Sequence, residues 1–139
     1  MTVALRLVSL FFLFFLLSCE THPYQQGEIL YVNFCSNCHM TDGSGLQNLI
    51  PPLNNKDYLK GKNDIIVCAI AKGVKGEIQV AGKTYNTEME AITNLNDIEI
   101  TNVINYIQYT WGDGEYASNP EVMEALKECL GATEWEIKR

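Results

Sequence analysis

Apolar residues recur at three- and four-residue intervals along several segments, which is the spacing of an amphipathic helix. The clearest of these segments begins at Asn96 and ends at Gly112. Glu99, three residues after Asn96, predicts a capping box at the start, and glycine predicts the end. The apolar face of this helix would contain Ile100, Val103, Ile104, Ile107 and Trp111. We therefore expect a helix that buries this face.

Two more segments have the apolar spacing of a helix, and one short segment has the alternating apolar and polar residues of a strand. Residues 63–71 predict a helix that Asn63 caps and that Gly73 ends. A last helix is predicted over residues 119–131. Between these two, residues 77–85 alternate apolar and polar side chains around an Ala-Gly pair, which predicts a short hairpin.

A further helix is predicted near the start of the exported chain. Gly27, Tyr31 and Cys35 are four residues apart, so they lie near one helical face. His22 and Pro23 would start this helix, because proline is favoured at the first helical position. Gly27 has no side chain and would let another helix approach closely.

The first 18 residues predict a targeting segment. Arg6 precedes the apolar run 7–17, which is short for a membrane-spanning helix and typical of a secretory signal. The run is followed by Ser18 and Cys19, and this junction resembles the processing site of bacterial lipoproteins. The resemblance implies that Cys19 is diacylated and becomes the mature N-terminus, which tethers the chain to a membrane. An ordinary signal peptide and an uncleaved anchor remain the alternatives, and in each case the chain is exported.

Composition and charge favour one folded domain and narrow the class of partner. The chain has 139 residues, of which 47% are hydrophobic and 19% charged, so we expect a single domain over residues 19–139 and a monomer. Its net charge is −7, which argues against nucleic acid as a partner because phosphate binding needs Lys and Arg. Such a surface suits docking on a basic patch of another protein.

The five cysteines include one chemically specific motif, Cys35-Ser-Asn-Cys38-His39. Two thiols spaced by two residues reach the two vinyl groups of one haem and form thioethers. The next residue, His39, then lies under the iron as the proximal ligand. The motif predicts one covalently attached haem c in each chain.

Three other interpretations of this motif are weaker. A thioredoxin-type pair is expected near a βαβ pattern, which the sequence lacks. A zinc site needs a second pair of ligands, and Cys68 and Cys129 are single and far apart. A chance occurrence would have to bring two Cys and one His together in a chain with five Cys and two His. A thiol–disulfide protein using Cys35 and Cys38 therefore stays as the non-haem alternative.

With these motifs, residues 24–111 resemble the class I cytochrome c family. That family has a glycine and an aromatic residue before its CxxCH motif, as Gly27 and Tyr31 stand here. A glycine-containing loop follows, then a Pro-x-Leu pattern, here Pro51 to Leu53, and finally a Met ahead of an amphipathic helix with an aromatic residue. The resemblance implies an all-α cytochrome c fold of three core helices around one haem. The hairpin would be an insertion and the last helix an addition.

The resemblance also implies the iron ligands. The Pro51 carbonyl would accept a hydrogen bond from the His39 ring and fix its orientation. Met89 stands where the family places its distal ligand, so it would bind the iron opposite His39. Glu90 stands where the family commonly has proline, which predicts a softer loop and weaker ligation. The alternatives are a Met89 that only fills an apolar gap and His22 as the sixth ligand.

A His/Met pair fills both axial positions and stabilises ferrous iron. The expected function is one-electron transfer by a lipid-anchored carrier on the periplasmic side of a bacterial membrane, without enzyme activity of its own. Its partners would be a redox donor and a redox acceptor. A haem-based sensor or peroxidase-like protein is the alternative, and it requires that Met89 be absent from the iron or readily displaced.

Cys68 and Cys129 remain after the lipid and haem positions are assigned. Both lie on apolar faces of predicted helices, and disulfides persist in exported proteins. A disulfide between them would join the helix over residues 63–71 to the last helix. Two buried reduced thiols are the alternative.

Overall fold

The computed structural model describes residues 22–132. Within this range the chain forms α1 (Gln25–Phe34), α2 (Ser36–His39), α3 (Lys56–Leu59), α4 (Asn63–Lys72), β1 (Ile78–Val80), β2 (Lys83–Tyr85), α5 (Asp97–Thr110) and α6 (Asn119–Gly131). The predicted signal segment 1–18 and Cys19 lie outside the described residues. Of the helices in 22–132, none has the length and apolar character needed to cross a membrane.

Helices α1 and α5 pack directly against each other at Gly27. A Cβ at this position would contact the Asn102 carbonyl oxygen and lie 2.7 Å from the Cβ of Tyr106. Beside this crossing, the fully buried Tyr31 ring lies 5.5 Å from the Tyr106 ring, measured between centroids. The close approach predicted from Gly27 is therefore confirmed, and it sets the position of α1 relative to the rest of the core.

The start of α5 has the predicted capping box. The Asn96 side chain accepts from the Glu99 backbone N–H at 3.0 Å, and the Glu99 carboxylate accepts from the Asn96 backbone N–H at 2.9 Å. Four apolar residues of the predicted face are buried in the core: Ile100, Val103, Ile104 and Ile107. Trp111, directly after the helix, packs against the same core.

Two predicted helix starts are wrong. Helix α1 begins at Gln25, because Pro23 and the next residue form a turn. Asn63 is the first residue of α4 and does not cap it. Its side chain instead donates to the Glu115 carbonyl at 2.8 Å and accepts from Gln108 at 2.8 Å. These tertiary hydrogen bonds replace the local cap that sequence alone would assign.

The predicted hairpin is present as β1 and β2. The strands pair antiparallel, with Ile78 opposite Tyr85. Both turn residues, Ala81 and Gly82, have positive φ values of 51° and 76°, as a two-residue type I′ turn requires. Tyr85 is buried, so the hairpin is attached to the body of an otherwise helical fold.

Helix α6 packs against α4 and α5 and extends the core. Val122, Ala125 and Cys129 are buried on its inner face. Lys72, at the end of α4, donates to the carbonyls of Cys129 and Ala132 at 2.9 Å each. Because a helix leaves its last carbonyls without internal partners, this lysine caps the C-terminal end of α6.

Candidate haem-binding site

One turn of the chain contains both cysteines of the motif and the histidine. Cys35 follows α1 directly and is buried, whereas Cys38 in α2 is exposed. The backbone N–H groups of Cys38 and His39 donate to the Cys35 carbonyl at 3.1 and 2.9 Å. This single turn therefore holds two thiols and one imidazole close together.

The loop after the motif fixes the imidazole of His39. Its Nδ1 lies 3.1 Å from the Pro51 carbonyl oxygen and donates to it, so the ring proton is on Nδ1 and the Nε2 lone pair is available to a metal. Burial lowers the pKa of His39, and the bond to Pro51 opposes this only in part. The neutral imidazole is thus favoured, and this is the form that ligates iron.

Gly45 lets this loop close around His39. Its backbone N–H donates to the His39 carbonyl at 3.1 Å, and its φ is 68°. A Cβ at Gly45 would contact the Ile50 carbonyl oxygen and lie 2.7 Å from that of Pro51. Only glycine adopts this conformation easily and leaves this space. Gly45 therefore permits the close loop that brings the Pro51 carbonyl within hydrogen-bond distance of His39.

Sequence reasoning missed a second restraint on the turn, the Tyr31 hydroxyl. It donates to the Met40 carbonyl at 2.7 Å, and burial raises the pKa of Tyr31, which keeps the hydroxyl protonated. Met40 follows His39 and has φ 61° and ψ 161°, a region that costs a residue with a side chain about 1–3 kcal/mol. A hydrogen bond from the buried Tyr31 side chain therefore supports the strained backbone next to His39.

We expect Tyr31→Phe to lower the free energy of unfolding of the haem-loaded protein by about 1–3 kcal/mol, because the Met40 carbonyl loses its buried donor. Denaturant unfolding followed by circular dichroism measures this. Tyr58→Phe is the matched control, since no side-chain hydrogen bond of the Tyr58 hydroxyl occurs within residues 22–132. Equal stabilities of the two variants would contradict a supporting role for Tyr31.

Met89 lies in the loop between β2 and α5, and this loop pairs with the segment that follows the end of α4. Its backbone N–H and carbonyl both pair with Val74, with two hydrogen bonds of 2.9 Å. A third, from the Ile92 N–H to the Ile70 carbonyl at 2.8 Å, fixes the chain just beyond it. A Cβ at Gly73 would contact the Met89 carbonyl oxygen, so this glycine permits the pairing. The Met89 side chain is half-buried.

His22 is engaged elsewhere. Its Nε2 lies 2.8 Å from the Glu28 carboxylate, and its ring stacks on Tyr109 with centroids 5.9 Å apart. These contacts do not favour His22 as a ligand.

The buried thiol of the motif, Cys35, does not suit thiol–disulfide exchange. Burial, with a smaller effect of Cys38, raises the pKa of Cys35 to about 12. Exchange requires a thiolate near neutral pH, and reactive cysteines of that kind have lowered pKa values. A buried thiol beside a neutral imidazole instead fits thioether attachment of a haem whose iron binds Nε2.

Residues 24–111 match the model of the family described as Cytochrome c. The chain belongs to the cytochrome c family. This cytochrome is 33% identical over 85 residues to cytochrome c-552 of Thermus thermophilus, which covers 58% of this chain and 65% of that protein. It is also 33% identical over 97 residues to the gluconate 2-dehydrogenase cytochrome c subunit of Pantoea cypripedii, covering 68% of this chain and 22% of that subunit. The cytochrome therefore spans less than two thirds of the length of these relatives.

Membership confirms three expectations drawn from the sequence: a class I c-type cytochrome, an all-α cytochrome c fold and a covalently bound haem c. The family match and the cytochrome c-552 relatives support haem-based electron transfer as the general function. Proteins of this family are typically exported. One relative is a dehydrogenase subunit, so cytochromes of this family also serve as parts of enzymes.

Proposed function

We propose that this cytochrome is an electron carrier that transfers one electron at a time between two redox proteins. Cys35 and Cys38 would hold the haem through thioethers, and His39 and Met89 would bind its iron. The observation that carries the proposal is the hydrogen bond from His39 to Pro51, which leaves Nε2 available beside the two thiols. When bound, haem c supplies the Fe(III)/Fe(II) couple.

Three hydrogen bonds around Met89 support its role as the sixth ligand. The pairing with Val74 and the bond from Ile92 to Ile70 restrain the backbone at Met89 and just after it. They restrain a segment where Glu90 replaces the proline common in the family. A backbone held in this way loses little further freedom when the Met89 side chain binds iron, which favours ligation over displacement.

Redox titration of the purified holoprotein, followed by its visible spectrum, tests the carrier function. We expect a single reversible one-electron wave and no binding of carbon monoxide at neutral pH, because both axial positions are filled. Ready binding of carbon monoxide would instead favour the sensor or peroxidase-like alternative.

The membrane tether of this proposal depends on Cys19, which lies outside the described residues. We propose that residues 1–18 are removed as a signal peptide and that a lipid on Cys19 holds residues 19–139 at the periplasmic side of a membrane. Two or three acyl chains give stable attachment, since each buried methylene adds about 0.8 kcal/mol.

Cys19→Ser is expected to move the haem protein into the soluble periplasmic fraction or to block its maturation, because the thiol that accepts the lipid is gone. Fractionation followed by a haem stain measures this. Unchanged retention in the membrane would indicate an uncleaved helix and would contradict lipid attachment.

The acidic charge of the chain favours partners with basic docking surfaces. The net charge of −7 attracts such a surface over distances of about a Debye length, roughly 8 Å at physiological salt. Electrostatic steering of this kind raises association rates and weakens as salt is added.

We also propose a disulfide between Cys68 and Cys129. Both residues are buried where α4 packs against α6, and both are free thiols in the structure. The Cys68 thiol donates to the Ala125 carbonyl of α6 at 3.8 Å. Burial and the neighbouring Cys129 thiol raise the pKa of Cys68. The bond would close a loop of about 60 residues and stabilise the fold by roughly 2–4 kcal/mol.

Alkylation of the denatured holoprotein without reductant, followed by mass spectrometry, tests this disulfide. We expect neither Cys68 nor Cys129 to be labelled until a reductant is added. Cys129→Ala serves as the control, since it should leave Cys68 alkylatable from the outset. Labelling of both thiols in the wild-type protein would show that they remain reduced.

A further inference from the structure

Aromatic side chains gather where the described chain begins. The His22 ring stacks on Tyr109, with centroids 5.9 Å apart and planes at 14°. Tyr24 lies between Tyr109 and Tyr116, with centroid distances of 5.3 and 5.0 Å. We call these four residues the tyrosine face. It joins the first residues of the described chain to the end of α5 and to the loop before α6.

The tyrosine face is open to its surroundings although its rings contact one another. Tyr109 and Tyr116 are each 47% exposed. His22 is held in place by its hydrogen bond with the Glu28 carboxylate at 2.8 Å and by its contact with Tyr109. The start of the described chain is therefore fixed to this face, and two of the face's aromatic side chains remain about half exposed.

The covalent reach from Cys19 to this face is short. Three peptide units separate Cys19 from His22, and an extended chain spans at most about 3.6 Å per residue, or roughly 11 Å in total. If Cys19 carries the lipid, His22 lies within that distance of the headgroups. The tyrosine face is therefore held close to the bilayer.

We propose that the tyrosine face rests on the lipid surface and orients the domain there. This rests on the proposed lipid anchor at Cys19. Tyrosine suits the headgroup region because its ring is apolar and its hydroxyl is polar. The neighbouring acids Glu28 and Glu115, with the net charge of −7, favour neutral phospholipid over anionic phospholipid.

Contact of the tyrosine face with the lipid surface would set the distance of the redox centre from the membrane. Helix α1 runs ten residues from the tyrosine face to Cys35, a length of about 15 Å at 1.5 Å per residue. The domain would therefore present its haem-binding turn to partners in a fixed orientation, and not from the end of a long flexible tether.

Hydroxyl-radical footprinting of the full-length, lipidated holoprotein in phosphatidylcholine nanodiscs tests this orientation. The control variant has a Gly-Ser spacer of about 20 residues between Thr21 and His22, with an r.m.s. length of roughly 25 Å. We expect Tyr109 and Tyr116 to be modified several-fold more slowly in the wild type than in the spacer variant. Leu49 and Leu130, 57% and 61% exposed, are the references and should react equally in both.

Three results would overturn the proposal. Equal modification of Tyr109 and Tyr116 in the two membrane-bound proteins would exclude seating while leaving the Cys19 anchor intact. Recovery of the wild type in the soluble fraction would remove the anchor and this proposal with it. Protection in native membranes but not in the nanodiscs would assign the face to a membrane protein.

Discussion

Replacing Cys38 with alanine is expected to reduce the yield of haem-loaded protein several-fold. In a fold of this size a haem occupies a large part of the core, so the chain depends on it for stability. Cys35 belongs to the same buried cluster as Tyr31 and Ile104, which places the attachment turn at the edge of that core. Loss of one thioether leaves the group held by a single bond and its axial ligands. Haem staining and pyridine haemochrome spectra of the exported fraction measure the yield.

Ser36→Ala is the matched control for this experiment. Ser36 lies in the same turn, and its hydroxyl donates only to the Val32 carbonyl, at an exposed position. We expect near-normal yield from this variant. If Cys38→Ala accumulated as a stable apoprotein with native helix content, folding and haem attachment would be independent, and the account would be wrong.

Met89→Ala is expected to change the electronic state of the iron. The weak near-red charge-transfer band of a Met–Fe(III) bond should disappear. The reduction potential should fall by a substantial part of the roughly 0.8 V range that axial ligands span, because water or a stronger donor stabilises ferric iron. Affinity for cyanide and carbon monoxide should rise as the position opens. Absorption spectra and a redox titration measure these changes.

Met123→Ala is the control for Met89→Ala. Met123 is 43% exposed on the outer side of α6, so its removal should alter neither spectrum nor potential. If Met89→Ala also left both unchanged, the sixth ligand would lie elsewhere. His22 would then have to leave Glu28 and Tyr109, its partners in the structure.

Local rules of sequence predicted much of the fold. The capping box of α5 depends on two residues three apart, Asn96 and Glu99, and the packing of α1 on α5 depends on one glycine, Gly27. The start of α4 was not predictable in this way. Asn63 has the side chain of a good cap, but this side chain instead forms hydrogen bonds with Gln108 and with the Glu115 carbonyl, both far along the sequence.

The candidate site also combines features that follow from adjacent residues with features that depend on distant ones. Cys35, Cys38 and His39 are adjacent in sequence, so their proximity follows from the motif alone. The hydrogen bond from Tyr31 to Met40 was not predictable, because a methionine gives no sign that its φ is positive. The backbone pairing of Met89 with Val74 was equally hidden, since it joins two loops whose residues carry no pairing pattern.

The absorption spectrum of the purified ferric protein tests the central claim most directly, which is that His39 and Met89 both bind the iron of one covalent haem. We predict a six-coordinate, low-spin spectrum with the near-red band of a Met–Fe(III) bond. After reduction, the spectrum of the ferrous protein should not change when carbon monoxide is added. A high-spin or five-coordinate spectrum, or prompt binding of carbon monoxide, would contradict it.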